Sequence, residues 1–121
     1  MNAISAAKNP ARIHIQVHLD RAPGFNQSLL RKEYEALQAQ ERALARFRIE
    51  EGEDHGRYLN IEFATSDIIQ LWQALQSAIY QHPVIGKELM MSSMVMCTGA
   101  SGWDDYLLLH HYDSTVAQDK F

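Results

Sequence analysis

An α+β domain, built on an antiparallel sheet with helices on one face, is the fold class the sequence predicts from three observations. Several short stretches alternate apolar and polar residues with the period of a half-buried strand. Two longer stretches repeat apolar residues at helical spacing. Turn and cap residues separate these stretches into the order β-α-β-β-α-β-β.

The first strand is RIHIQVHL, residues 12–19, with Ile13, Ile15, Val17 and Leu19 on one side and His14, Gln16 and His18 on the other. Ala22-Pro23-Gly24 ends it. Asn26 or Ser28 then caps a helix running to about Ala45, with Leu30, Tyr34, Leu37 and Leu44 as its apolar stripe. RFRIEE (46–51) and RYLNIEFA (57–64) alternate again around Gly52-Glu53-Asp54-His55-Gly56 and predict a hairpin. Thr65, Ser66 and Asp67 offer caps for a second helix, whose Ile68, Leu71, Trp72, Leu75, Ala78 and Ile79 keep helical spacing until Pro83. Residues 84–89 read as a short helical turn. MMSSMVMC and WDDYLLLHHY, flanking Thr98-Gly99-Ala100-Ser101-Gly102, then form a second hairpin. This order is the split β-α-β arrangement of ferredoxin-like folds with one extra strand, its sheet antiparallel and its two helices on one face. Ile13, Ile15, Val17, Phe47, Ile49, Leu59, Ile61 and Phe63 are expected to face the helices. The uncovered face then displays His14, Gln16, His18, Arg46, Arg48, Glu50, Tyr58, Asn60 and Glu62.

At 121 residues, 46% hydrophobic and 21% charged, the chain fits one globular domain, 1–121, with loose ends at 1–11 and 114–121. No apolar run approaches the roughly 18 residues of a membrane span, and MNAISAAKNPAR has no continuous signal-peptide core, which predicts a cytoplasmic protein without membrane contact. The net charge of −4 divides unevenly. Residues 1–48 carry eight basic against four acidic side chains, and residues 49–121 three against eleven. Such a split can orient association with a charged partner or a second copy. The acidic majority disfavours nucleic acid, although Arg42, Arg46 and Arg48 form a local basic patch.

No motif for a metal or cofactor emerges. His14 and His18 stand about 13 Å apart on a strand, too far for one ion. The adjacent His110 and His111 face opposite ways. His82, beside Pro83, is expected at the C-terminal end of the second helix. The acidic turn at Glu50, Glu51, Glu53 and Asp54 lacks EF-hand spacing, and Asp104 and Asp105 alternate faces rather than forming an acid/base pair. A five-residue loop would set Cys97 opposite Trp103 and leave His110 about 23 Å along the strands, which removes a Cys-His dyad there. Gly99-Ala100-Ser101-Gly102 precedes no helix that would complete a phosphate cradle.

The last hairpin differs from the other strands in being apolar on both faces. Met94, Met96, Tyr106 and Leu108 share one parity, while Met91, Val95, Cys97, Leu107 and Leu109 share the other. Its second face calls for a cover from the tail, from segment 84–89 or from another subunit. We therefore expect a non-catalytic protein-binding or self-associating module, analogous to immunity or antitoxin-type binders, with Met94, Met96, Tyr106 and Leu108 as its interface. The partner is a second copy or another protein.

From about Arg12 to Cys97 the order of elements also resembles the dimeric α/β-barrel group, in which two copies pair their open sheet faces. The resemblance implies, as an alternative, an enzyme or binder of small molecules, with His14, His18, Tyr58 and Asn60 as ligand contacts and a histidine as acid or base.

Overall fold

The computed structural model describes residues 11–121. Apart from Ala11, the N-terminal end expected to be loose lies outside them. The sheet has five strands: β1 (Ala11–His18), β2 (Leu44–Glu53), β3 (Arg57–Thr65), β4 (Ser93–Gly99) and β5 (Gly102–His110). Their spatial order is β2-β3-β1-β4-β5, and every neighbouring pair is antiparallel. Three helices cover one face: α1 (Gln27–Gln40), α2 (Ile68–Leu75) and α3 (Gly86–Ser92), with a π-helical turn at Gln76–Tyr80 continuing α2.

The alternation predicted for the first three strands holds. Ile13, Ile15, Val17, Leu59, Ile61 and Phe63 are buried under the helices. Phe47 and Ile49 face the same way but are only half-buried, because β2 lies at the edge of the sheet. Leu30, Tyr34 and Leu37 of α1, Leu71 and Leu75 of α2, Ile79 of the π turn and Leu89 of α3 complete one core. Asn26 caps α1 by accepting a 2.9 Å bond from the Leu29 amide, and Asp67 caps α2 by accepting one of 3.1 Å from Gln70.

Several sequence expectations need correction. The first helix ends at Gln40 rather than near Ala45, and Leu44 opens β2. Glu41 stops the helix by adopting an extended backbone and accepting from the Ala43 amide at 2.9 Å, which starts the chain back toward the sheet. The expected two helices are three. Residues 84–89 belong to a genuine helix that extends through Ser92, so Met90 and Met91 are helical and exposed rather than part of a strand. Ile85 and Leu89 anchor this helix in the core. His82 serves α3 rather than α2: its Nδ1 accepts from the Val84 amide at 3.1 Å and lies 3.4 Å from the Ile85 amide.

The β4–β5 register also differs. Gly99 pairs with Gly102 across a two-residue turn, and irregularities on both sides set Cys97 opposite Leu107 and Val95 opposite His110. Cys97 therefore does not face Trp103. Its thiol lies on the helix side, fully buried, and burial pushes its pKa up, away from a nucleophile's thiolate.

Among the described residues, the core holds one side-chain polar atom without a partner, the Tyr34 hydroxyl. Tyr34 is fully buried, its ring packs against Phe47 and Phe63, and its hydroxyl has no hydrogen bond. Tyr80 resolves the same problem with a 2.7 Å bond between its hydroxyl and that of Ser93. Tyr34→Phe is accordingly expected to raise stability by about 1 kcal/mol, read as a higher urea midpoint, because it removes only the unsatisfied group. A lower midpoint would mean that the hydroxyl has a bonded partner in solution.

Candidate functional site

The sheet face opposite the helices is the place where the chain leaves chemistry in reach of a ligand or partner. Strand parity and register set its side chains in rows across the strands. Register pairs Arg48 with Glu62, Glu50 with Asn60, His14 with both Glu62 and Met96, Gln16 with both Asn60 and Met94, and His18 with Tyr58. Leu108 lies opposite Met96. The face thus grades from charged on β2 and β3, through histidine and glutamine on β1, to methionine, leucine and tyrosine on β4 and β5. Met94, Met96 and Leu108 are half-buried and Tyr106 is 54% exposed.

The four residues considered for ligand contact share this face without converging. Asn60 Oδ1 accepts from Gln16 Nε2 at 3.1 Å. The Tyr58 ring lies over Gly52, so near that a methyl group there would overlap it. His14 presents its ring to Trp103, with centroids 6.5 Å apart. His18 packs edge-on against Tyr112 at 5.1 Å. The α3 helix sits with the core, and Asp119 of the tail bonds both backbone groups of Leu108 at 2.8 Å, along the outer side of β5.

Two ends of this face are organised by residues that the sequence reading passed over. At the His18 end, Arg21 stacks 4.2 Å over the Tyr112 ring and its Nε donates to the Met91 carbonyl at 3.0 Å. His111 also packs against Tyr112, with centroids 4.4 Å apart. His18 Nε2 is enclosed there without a hydrogen-bond partner. At the opposite end, Arg12 lies between Glu62 and the β4–β5 turn. Arg12 shares the parity of His14, so alternation alone places it on this face; Trp103 depends on the irregular register of β5 and carries no such signal.

Two histidines, His18 and His110, are expected to make the fold acid-sensitive. His18 is held below its ordinary pKa of 6.5 by burial first, then by Arg21 and His111, with Asp20 opposing. His110 is lowered chiefly by burial against Tyr80, while its Nε2–H bond to the Met90 carbonyl at 3.0 Å opposes the shift. As pH falls below 6.5 the unfolded chain takes up these protons before the folded one, so stability present above 6.5 is lost through each lowered folded pKa. Thermal midpoints measured between pH 7.5 and 5 are expected to fall, and His18→Gln to flatten that fall. A midpoint that rises on acidification would contradict these environments.

Among the described residues no group of three or more His, Cys, Asp or Glu side chains is placed to hold a metal, and no helix is long and apolar enough to cross a membrane. Comparison with protein-family models, with curated proteins and with solved structures found no match for this chain.

Proposed function

We propose that this protein is a non-catalytic, self-associating module of the cytoplasm, whose second copy covers the open sheet face. The order β2-β3-β1-β4 with helices after β1 and β3 supports reading the fold as ferredoxin-like, with β5 added beyond β4. The observation that carries the function is the apolar row on an otherwise polar face. Met94, Met96, Tyr106 and Leu108 lie on neighbouring strands β4 and β5, while α3 packs with the core and Asp119 of the tail bonds the backbone of Leu108 along the edge of β5.

A second copy suits this face because it carries both signs of charge. Arg12, Arg46 and Arg48 stand with Glu50 and Glu62, so two-fold pairing can match unlike groups around the methionines. Methionine adapts to an imperfectly matched surface, which suits pairing of like with like. A small-molecule site of the α/β-barrel kind is the second reading, favoured by the unpartnered His18 Nε2 on the same face.

Sedimentation equilibrium over a wide concentration range is expected to give twice the monomer mass. Met94→Glu combined with Leu108→Glu should return the chain to monomer without lowering its helix content, because both side chains are off the helix side. A wild-type chain that stays monomeric at every concentration would refute self-association.

A further inference from the structure

We propose that the groove across Arg12, between β2 and the β4–β5 turn, binds a small oxyanion carried on a flat ring, an aryl phosphate or aryl carboxylate in chemical class. Two hollows adjoin at this one side chain. The first, of about 390 Å³, is lined by Arg12, Arg46, Phe47, Arg48, Glu62 and Ala64. The second, of about 430 Å³, is lined by Arg12, Trp103 and the turn from Thr98 to Gly102. Each lies within the range of roughly 300–1,000 Å³ that holds small ligands.

The charges in the groove are not balanced. Arg12 and Arg48 reach the same carboxylate oxygen, Glu62 Oε1, at 3.3 and 3.6 Å, and Arg48 lies 3.5 Å from Glu50. Arg46 has no carboxylate within 4 Å among the described residues. Three guanidinium groups thus stand beside two carboxylates, and the contacts of 3.3–3.6 Å made by Arg12 and Arg48 leave most of the donors unused. A guanidinium offers a planar fork of N–H groups that suits a phosphate or carboxylate better than one shared oxygen does. The Arg12 side chain is only 28% exposed, so an anion meeting it is less screened than at an open surface.

The ring preference rests on Trp103. It is 41% exposed, borders the second hollow, and presents a large aromatic surface to solvent at the edge of the same face. Arg12 on β1 and Trp103 on β5 are separated by two strand spacings, roughly 10 Å, the span of a ring bearing an oxyanion. With the oxyanion at Arg12, the ring reaches the Trp103 side of the turn, and Arg46 and Arg48 contribute field rather than contact.

The groove is lined by one chain alone, and because it lies on the face that a second copy is proposed to cover, ligand and second copy would compete for it. Calorimetric titration with phenyl phosphate, inorganic phosphate and phenol separates the contributions of ring and charge. Phenyl phosphate is expected to bind at least tenfold more tightly than either of the others, and more weakly as salt is raised. Arg12→Gln should weaken it by about tenfold or more. Arg46→Gln, at an exposed position that takes no part in packing, should weaken it by less, and Trp103→Leu should remove the advantage over inorganic phosphate. Met94→Glu combined with Leu108→Glu, which uncovers the face if two copies pair there, should bind phenyl phosphate no more weakly than wild type does, so a loss of binding in that monomer would count against the groove. No heat from phenyl phosphate at millimolar concentration, or equal binding by wild type and by both folded arginine variants, would overturn the proposal. Binding at the level of inorganic phosphate would reject the ring, and the proposal with it.

Discussion

Gly86→Ala is expected to lower stability by about 2–3 kcal/mol, and the melting temperature by roughly 10 °C. Gly86 begins α3 fully enclosed, and a Cβ there would stand 2.3 Å from the Tyr80 carbonyl oxygen and 2.8 Å from its carbon. The obstacle is backbone at the end of the π turn, held by the Tyr80–Ser93 hydroxyl contact, so it cannot swing aside as a side chain would. Alanine gains about 1 kcal/mol of helix propensity over glycine, which offsets only part of the overlap. The effect should extend past α3, because Ser93 opens β4 directly after the helix. Thermal denaturation followed by far-UV circular dichroism checks it; a melting temperature equal to that of wild type would mean that α3 does not approach the π turn so closely.

Gly99→Ala is expected to cost about 2 kcal/mol and, on the self-association proposed above, to abolish that as well. Here the added carbon would fall on the Asp105 carbonyl oxygen, at 1.7 Å, inside the irregular stretch that brings Gly99 opposite Gly102 and Cys97 opposite Leu107. That irregularity decides which side chains of β5 face outward. If β5 slips by one residue to relieve the overlap, Tyr106 and Leu108 turn toward the helices, and Leu107 and Leu109 turn outward. Sedimentation and hydrogen exchange at Leu107 and Leu109 report the two consequences separately. Wild-type sedimentation together with unchanged protection of these amides would show that the close approach does not control the register.

These two glycines mark where sequence reasoning stopped. The strands β1, β2 and β3 were legible because each has one wet side, so alternation records which residues meet the core. Ile13, Ile15, Val17, Leu59, Ile61 and Phe63 all obey it. The caps were legible to within two or three residues, Asn26 or Ser28 and one of Thr65, Ser66 and Asp67, because a short polar side chain before an apolar stripe satisfies amides that the helix leaves open; the structure selects Asn26 and Asp67. Helix α3 was harder: seven residues give barely two turns, and its methionines read equally well as the start of a strand. The β4–β5 register was not legible, since TGASG is compatible with several loop lengths, and the choice rests on contact between Gly99 and a carbonyl six residues onward.

The candidate site divides in the same way. His14, His18, Tyr58, Asn60, Met94, Met96, Tyr106 and Leu108 could be assigned to one face from strand parity. Their neighbours could not. That His18 meets Tyr112 and Arg21, and that Arg12 lies within one groove with Arg46, Arg48 and Trp103, follows from contacts between segments far apart in the chain. Periodicity by itself determined the α+β class, the strand faces and the two longer helices, because the hydrophobic effect acts residue by residue along a repeating backbone. Only the tertiary structure decided the third helix, the register of the last hairpin and which charges share a groove. Those depend on whether backbone groups remote in sequence can occupy the same space, and a local pattern does not encode that.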